Sequence, residues 1–553
     1  MTPEHSTART DILRSFTGLG LVIGTLFFAA SLTPSLIPRS PLIQGVLSGL
    51  CLAAGYGVGV LLQYLWNSLK LRMPSPRPRR IGRTIALAVS VLIAVLALWK
   101  ASAWQDSVLL LMEMPASDGA RPFKVAAVAL AVFVPLLLIG RAFRILTRKL
   151  ADKLSRRIPT PVATLAGLFI TAWLFYSIGN GVLVRGAMGA FDASFSKLDA
   201  LLEETSPQPT DPLKTGGPGS LLTWEDLGRA GREAVSAAPN RDKIAAMTGG
   251  PALEPLRIYV GLNSAPSVEE RARLALQEMI RVGAFERANV VIVTPTGTGW
   301  VDPESQPALE YVLRGDVASV TVQYSYLASW LALMADPEYG ASTARAVFAA
   351  VYGHWRGLPK DTRPKLYLHG LSLGSFNSDL SHDLYQVIGD PYHGAFWSGP
   401  PFPSRTWRDV TARRNPGTPA WLPEFRDGSV IRFTAQHNHL AEATAPWGPF
   451  RIIYLQYASD PITFFETDAL WRKPEWMKAP LGPDVSPELV WIPVVTFLQL
   501  AVDMMLATTT PRGYGHVFAF DHYLDGWASL TDAPGWTPEQ LEDLKARIEA
   551  ERP

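Results

Sequence analysis

Cysteine is almost missing from this chain. Cys51 is the one cysteine in 553 residues, and it lies inside an apolar run. That count excludes internal disulfides and a cysteine-built metal site, and it leaves the compartment open. Net charge is small as well, +2 at pH 7, so there is no global electrostatic case for nucleic acid. The apolar runs of the first third carry no Asp or Glu pair that would mark an ion pathway, which weakens a transporter reading. What is abundant is apolar residues. They make up 48% of the chain, and the mean hydropathy is positive. The length suits two or three domains.

Five apolar runs precede residue 190, roughly 16–37, 42–65, 85–98, 125–139 and 162–184. A helix needs about 20 apolar residues to cross the hydrocarbon core. Runs one, two and five satisfy this directly. Runs three and four do so when extended to Arg83–Trp104 and Pro122–Phe143. Run one is long and further runs follow it, unlike a cleaved signal. Lys70, Arg72, Arg77, Arg79, Arg80 and Arg83 lie between runs two and three. Arg141, Arg144, Arg148, Lys149, Lys153, Arg156 and Arg157 lie between runs four and five. The positive-inside rule puts both basic stretches, and the N-terminus with Arg9 and Arg14, in the cytoplasm. Residues after 190 are then expected outside it, on a multi-pass inner-membrane protein with the lipid bilayer as partner. Glycines crowd runs one and two, from Gly18 to Gly59. They fit a compact bundle or a homo-oligomer, or merely the glycine content of membrane helices.

Residues 205–220 are rich in Pro, Gly and Thr, as a flexible connector is. Leu221–Ala237 reads as a helix, with Thr223 and Asp226 spaced like a capping box. From about 255 the pattern alternates. Strands are expected at 257–261, 289–293, 320–324, 365–369, 394–397 and 452–457, with helices between them, including 268–282 and 342–354. That argues a mostly parallel sheet with flanking helices. Residues 399–430 read as an irregular insertion. Residues 489–507 read as a buried or membrane-facing helix interrupted by Pro493 and Asp503, not as a sixth span. The expected layout is a transmembrane domain over 1–190, a linker and connecting helix over 191–250, and an α/β domain over 251–553.

The stretch with chemistry in it is Lys365–Ser375. Gly370-Leu371-Ser372-Leu373-Gly374 fits G-x-S-x-G, with an apolar strand before it and a helical run after it. This is the setting of a strained turn that lifts a serine hydroxyl out of a sheet. The bland alternative is a serine that caps the helix. A nucleophilic serine needs a base and an orienting acid, in the chain order Ser, acid, His for this kind of elbow. Asp460 lies just past a strand end; Glu466 and Asp468 are fallbacks. His516 sits in the glycine-flanked loop Gly513-Tyr-Gly-His516, with His522 as rival. No clear strand separates Asp460 from His516, where the usual sheet has one. His369, His437 and His439 read as structural, two histidines without a third ligand being a poor metal site. No cofactor is expected. Backbone donors for a tetrahedral intermediate are expected from Leu373 and from the loop Thr294–Trp300, through Gly297 and Thr298. That loop lacks the lysine a phosphate-binding loop would carry.

Several stretches together resemble a bacterial family of membrane-anchored α/β-hydrolases. They are Ser31–Arg39, Thr294–Pro303, Gln323–Leu327, His369–Ser375 and Leu455–Pro461. The resemblance implies an α/β-hydrolase-like sheet behind a transmembrane bundle of about five helices, with Ser372 as nucleophile. On this basis the expected activity is hydrolysis of an apolar acyl ester or lipid through Ser372, Asp460 and His516. Acyl transfer by the same residues, or a scaffold role without chemistry, are the rivals.

Overall fold

A computed structural model describes residues 16–69, 76–116, 121–179, 206–326, 339–533 and 535–552. Arg9, Arg14, Lys70, Arg72, Leu327, the end of run five and the expected boundary at 190 lie outside the described residues. The chain forms two compact units. One takes Met1–Ala187, Phe465–Met477 and Pro483–Leu506; the other takes Met188–Phe464, Lys478–Gly482 and Ala507–Pro553.

The first unit is helical: α1 Gly18–Ser31, α2 Pro41–Ser68, α3 Pro76–Leu111, α4 Arg121–Leu154 and α5 Thr160–Ile178. The last four are long and apolar enough to cross a membrane. The first is not. It has 14 residues, about 21 Å at 1.5 Å per residue. Run one therefore does not continue as a helix to Ile37. Pro34 and Pro38 cannot supply helical N–H groups, and Leu32–Arg39 is irregular yet mostly buried. Buried backbone of this kind needs partners. The Leu36 amide donates to Asp503 Oδ2 at 3.1 Å, and Arg39 Nε donates to Asp503 Oδ1 at 2.9 Å. Gln499 Nε2 donates to the Thr33 carbonyl at 3.1 Å. Both partners lie on helix Val495–Leu506, which is too short to span and is part of this unit. In the second basic stretch Arg141, Arg144, Arg148, Lys149 and Lys153 ride on the end of α4, and Arg156 and Arg157 follow it in a turn. Close approach explains some of the glycines. A Cβ on Gly59 would meet the Gly20 Cα at 2.5 Å, so α1 and α2 cross backbone to backbone.

The second unit carries a seven-stranded sheet in the order β1-β3-β2-β4-β5-β7-β6, every pair parallel. The strands are β1 Leu256–Val260, β2 Asn289–Thr294, β3 Val317–Val322, β4 Lys365–Leu371, β5 Gly394–Ser398, β6 Ile431–Thr434 and β7 Arg451–Leu455. They are Val- and Ile-rich and almost wholly buried, as a parallel sheet covered on both faces must be. Helices used below are α6 Val268–Arg281, α7 Ser305–Val312, α8 Tyr339–Gly357, α9 Leu373–Asp379, α10 Arg405–Ala412, α11 Phe520–Thr531 and α12 Pro538–Ala550. The expected α/β sheet with flanking helices is the fold found.

Details differ. β6 falls outside the expected strands, and α10 lies within the stretch read as irregular. The helix expected from Leu221 starts at Gly228, after a turn in which Thr223 Oγ1 donates to Asp226. Among the described residues no strand lies between Asp460 and His516. The sheet edge beyond β7 is taken instead by β6, which comes earlier in the chain.

Candidate active site

Register brings four strand ends to one rim. Thr294 of β2 pairs with Gly370, Leu371 of β4 pairs with Ser398 of β5, and Ser398 pairs with Leu455 of β7. Ser372 follows directly on β4. Its backbone has φ 55° and ψ −126°, a region costing roughly 1–3 kcal/mol for a residue with a side chain. The turn is held by the Ser372 amide donating to the Ser398 carbonyl at 3.0 Å, and by Ser375 Oγ donating to the Ser372 carbonyl at 2.6 Å. Space dictates the flanking glycines. A Cβ on Gly370 would lie 2.4 Å from the Gly374 carbonyl carbon, and one on Gly374 would lie 2.2 Å from the Thr294 carbonyl oxygen. Ser372 occupies the N-cap position of α9, yet its side chain makes no capping bond. The bland reading of this serine as a helix cap is thereby excluded.

Asp460 and His516 come together across 56 positions of sequence, His516 Nδ1 donating to Asp460 Oδ2 at 2.7 Å. The carboxylate is fully buried. It also accepts the Ile462 amide at 2.8 Å and Thr463 Oγ1 at 3.1 Å. The histidine loop is set by three further bonds. The Gly515 amide donates to Ser459 Oγ at 2.8 Å, the His516 amide to the Ala507 carbonyl at 2.9 Å, and the Gly513 amide to the Val517 carbonyl at 2.8 Å. His516 Nε2 is buried and has no hydrogen-bond partner among the described residues, Ser372 Oγ included. Between the serine turn and the imidazole runs Ser398–Gly399. The Ser398 carbonyl holds the Ser372 amide, and Gly399 backs the ring: a Cβ there would lie 2.5 Å from His516 Cε1.

Leu373 is the first residue of α9, so its amide is one of those a helix leaves without an internal partner. The loop bearing Gly297 and Thr298 follows β2 at the same rim. It closes through Thr296 N–H to Trp300 O and Gly299 N–H to Thr296 O, each 3.0 Å. Tyr259 Oη donates to the Gly299 carbonyl at 2.7 Å, and Gln323 Nε2 to the Thr298 carbonyl at 3.2 Å.

The rival residues have other work. His522 Nδ1 meets Tyr457 Oη at 2.6 Å. His369 Nδ1 donates to the Phe396 carbonyl at 2.7 Å, and burial pushes its imidazole down to about 4. His439 faces Glu442 at 2.9 Å. Glu466 and Asp468 belong to the helical unit, not to the unit carrying the sheet. Among the described residues no group of three His, Cys, Asp or Glu side chains could hold a metal. Residue-pattern reasoning passed over Ser459, Gly399 and Asp302. Asp302 and Ser459 had a signal, each lying in a stretch already singled out, Thr294–Pro303 and Leu455–Pro461.

A parallel sheet with a strained serine between glycines and an Asp-bound histidine at the same rim defines the α/β-hydrolase class. Comparison with protein families agrees. A family model described as "Alpha/beta-hydrolase family" matches residues 256–544, and one described as "Alpha/beta-hydrolase family N-terminus" matches residues 32–239. The chain belongs to this alpha/beta-hydrolase family, which carries a hydrolase-like function. No curated protein and no solved structure matches it.

Proposed function

We propose that the chain is a membrane-tethered serine hydrolase that cleaves an apolar acyl ester. One observation carries the reading: a buried imidazole bound through Nδ1 to a buried carboxylate, its Nε2 unpartnered, joined across Ser398–Gly399 to a serine on a strained turn. In this account Ser372 Oγ attacks the acyl carbonyl and its proton passes to His516 Nε2. Asp460 fixes the ring tautomer and stabilises the imidazolium that forms. The Leu373 amide and the Gly297–Thr298 backbone receive the oxyanion; losing one such donor costs about 10²–10³ in turnover. Collapse expels the alcohol, which takes the proton from His516. Water then attacks the acyl-serine by the same route in reverse roles, releasing the acid. In such sites the serine–histidine bond is often long or misaligned without substrate and tightens when substrate binds.

The membrane part of the proposal rests on α2 to α5. The basic end of α4 favours the cytoplasm, and α5 then crosses once. Residues after 179 come out on the extracytoplasmic side whether or not α1 spans. An apolar ester fits a catalytic unit tethered at a bilayer. The test is turnover of p-nitrophenyl esters of graded chain length by the full chain in detergent. Turnover that rises with chain length and vanishes in Ser372→Ala supports the reading. Turnover retained in Ser372→Ala, or none over the whole panel with the fold intact, ends it.

A further inference from the structure

A second carboxylate lies behind this site, in the same glycine loop. Asp302 is buried and faces no Lys or Arg among the described residues; its neighbour Glu304 is the one taken up, by Arg512 and Arg552. Asp302 Oδ1 accepts the Glu304 amide at 2.9 Å, and Oδ2 accepts Tyr523 Oη at 2.9 Å. Tyr523 Oη also meets Ser398 Oγ at 3.0 Å. Ser398 is the residue whose carbonyl holds the Ser372 amide. A line of hydrogen bonds thus runs from the glycine loop, through α11, to the turn that carries the serine. Tyr523 and Ser398 each have one hydroxyl proton, so the line has two polarities. With Asp302 ionised, Tyr523 donates to it and Ser398 donates to Tyr523. With Asp302 protonated the order reverses, and the Ser398 hydroxyl turns to the Gly370 carbonyl, 3.5 Å away.

We propose that Asp302 is a positioning residue of the active site: through Tyr523 and Ser398 it sets the serine turn, and its charge decides the polarity of that line. The inference rests on the serine-hydrolase reading. The groups that face Asp302 are Glu304 on its own loop, Tyr523 on α11 and His516 on the histidine loop. Tyr457 and His369 stand behind Tyr523. Burial pushes the Asp302 carboxyl up to about 7, so its charge, and with it the polarity of the line, changes near neutral pH.

The test is the pH profile of fluorophosphonate labelling of the full-length protein in detergent, with rates normalised to the active-site titre. Asp302→Asn should move the acid limb down by about half to one pH unit and lower the plateau rate about tenfold. Tyr523→Phe, which keeps the carboxylate, should move the limb the same way by less. A lost scaffold contact would lower the amplitude without moving the limb. A limb unmoved in Asp302→Asn overturns the proposal; if that variant does not fold, a limb unmoved in Tyr523→Phe overturns it. Labelling that survives in Ser372→Ala overturns the hydrolase reading instead, which keeps the two failures apart.

Discussion

The His516 ring lies so close to Gly399 that any side chain there would displace it: a Cβ at 399 would sit 2.5 Å from Cε1 and 2.8 Å from Nδ1. Gly399 also has φ +48°, which a residue with a side chain rarely adopts. The sheet end and the histidine loop are fitted to each other at this point. Gly399→Ala should lower turnover by about 10²-fold, the usual consequence of moving a catalytic group by an ångström. Melting should fall only modestly, about 1–2 kcal/mol for the backbone conformation. Kinetics beside a circular dichroism melt checks both.

Asp460 is acceptor for three donors, and one of them is the imidazole. Asp460→Asn puts an amide where a carboxylate stood and favours the wrong ring tautomer. Turnover should drop about 10⁴-fold with the fold retained. A loss below tenfold, measured on the same ester, would show that Asp460 does not serve His516.

The pH dependence of stability has a sign set by Asp302. Burial raises its carboxyl from 3.8 to about 7. The folded state keeps a proton there that the unfolded chain has already released. The stabilising contribution is complete below 3.8 and is lost as pH rises through about 7. Its ceiling is about 4 kcal/mol. Asp302→Asn should therefore lose less stability than wild type between pH 4 and 7. Thermal melts across that range read the difference; parallel curves would contradict it.

How much of this was legible without coordinates follows from distance along the chain. The serine turn was, because strand, glycines and helix are contiguous from Lys365 to Asp379. Asp460 and His516 were, because each has a local mark: a strand end before Pro461, and glycines at 513 and 515. The helix Val495–Leu506 was legible too, within the buried or membrane-facing segment read over 489–507; what holds it in place was not. The partner that makes Asp503 sensible is Arg39, 464 positions away. Pro34 and Pro38 end run one as a helix, and the same aspartate is what lets the irregular segment after Ser31 stay buried. β6 was missed because four residues, one of them Arg432, give little alternation to read.

The Arg39–Asp503 pair makes its own prediction. Both side chains are buried, at 2% and 0% exposure, with Nε and Oδ1 2.9 Å apart. Asp503→Ala leaves a buried guanidinium without its counter-charge and the Leu36 amide without its acceptor, which should cost about 3–5 kcal/mol. Arg39→Met with Asp503→Leu should recover much of that loss. Melting of the three proteins in one detergent checks it, and equal stability of the single and double variants would contradict it.

The most direct measurement is the site of covalent labelling. The full-length protein is treated with a fluorophosphonate probe, digested and analysed by peptide mass spectrometry. The account predicts one adduct, on Ser372, absent from Ser372→Ala and much slowed in His516→Ala. An adduct on another residue, or equal labelling of Ser372→Ala and wild type, would contradict it.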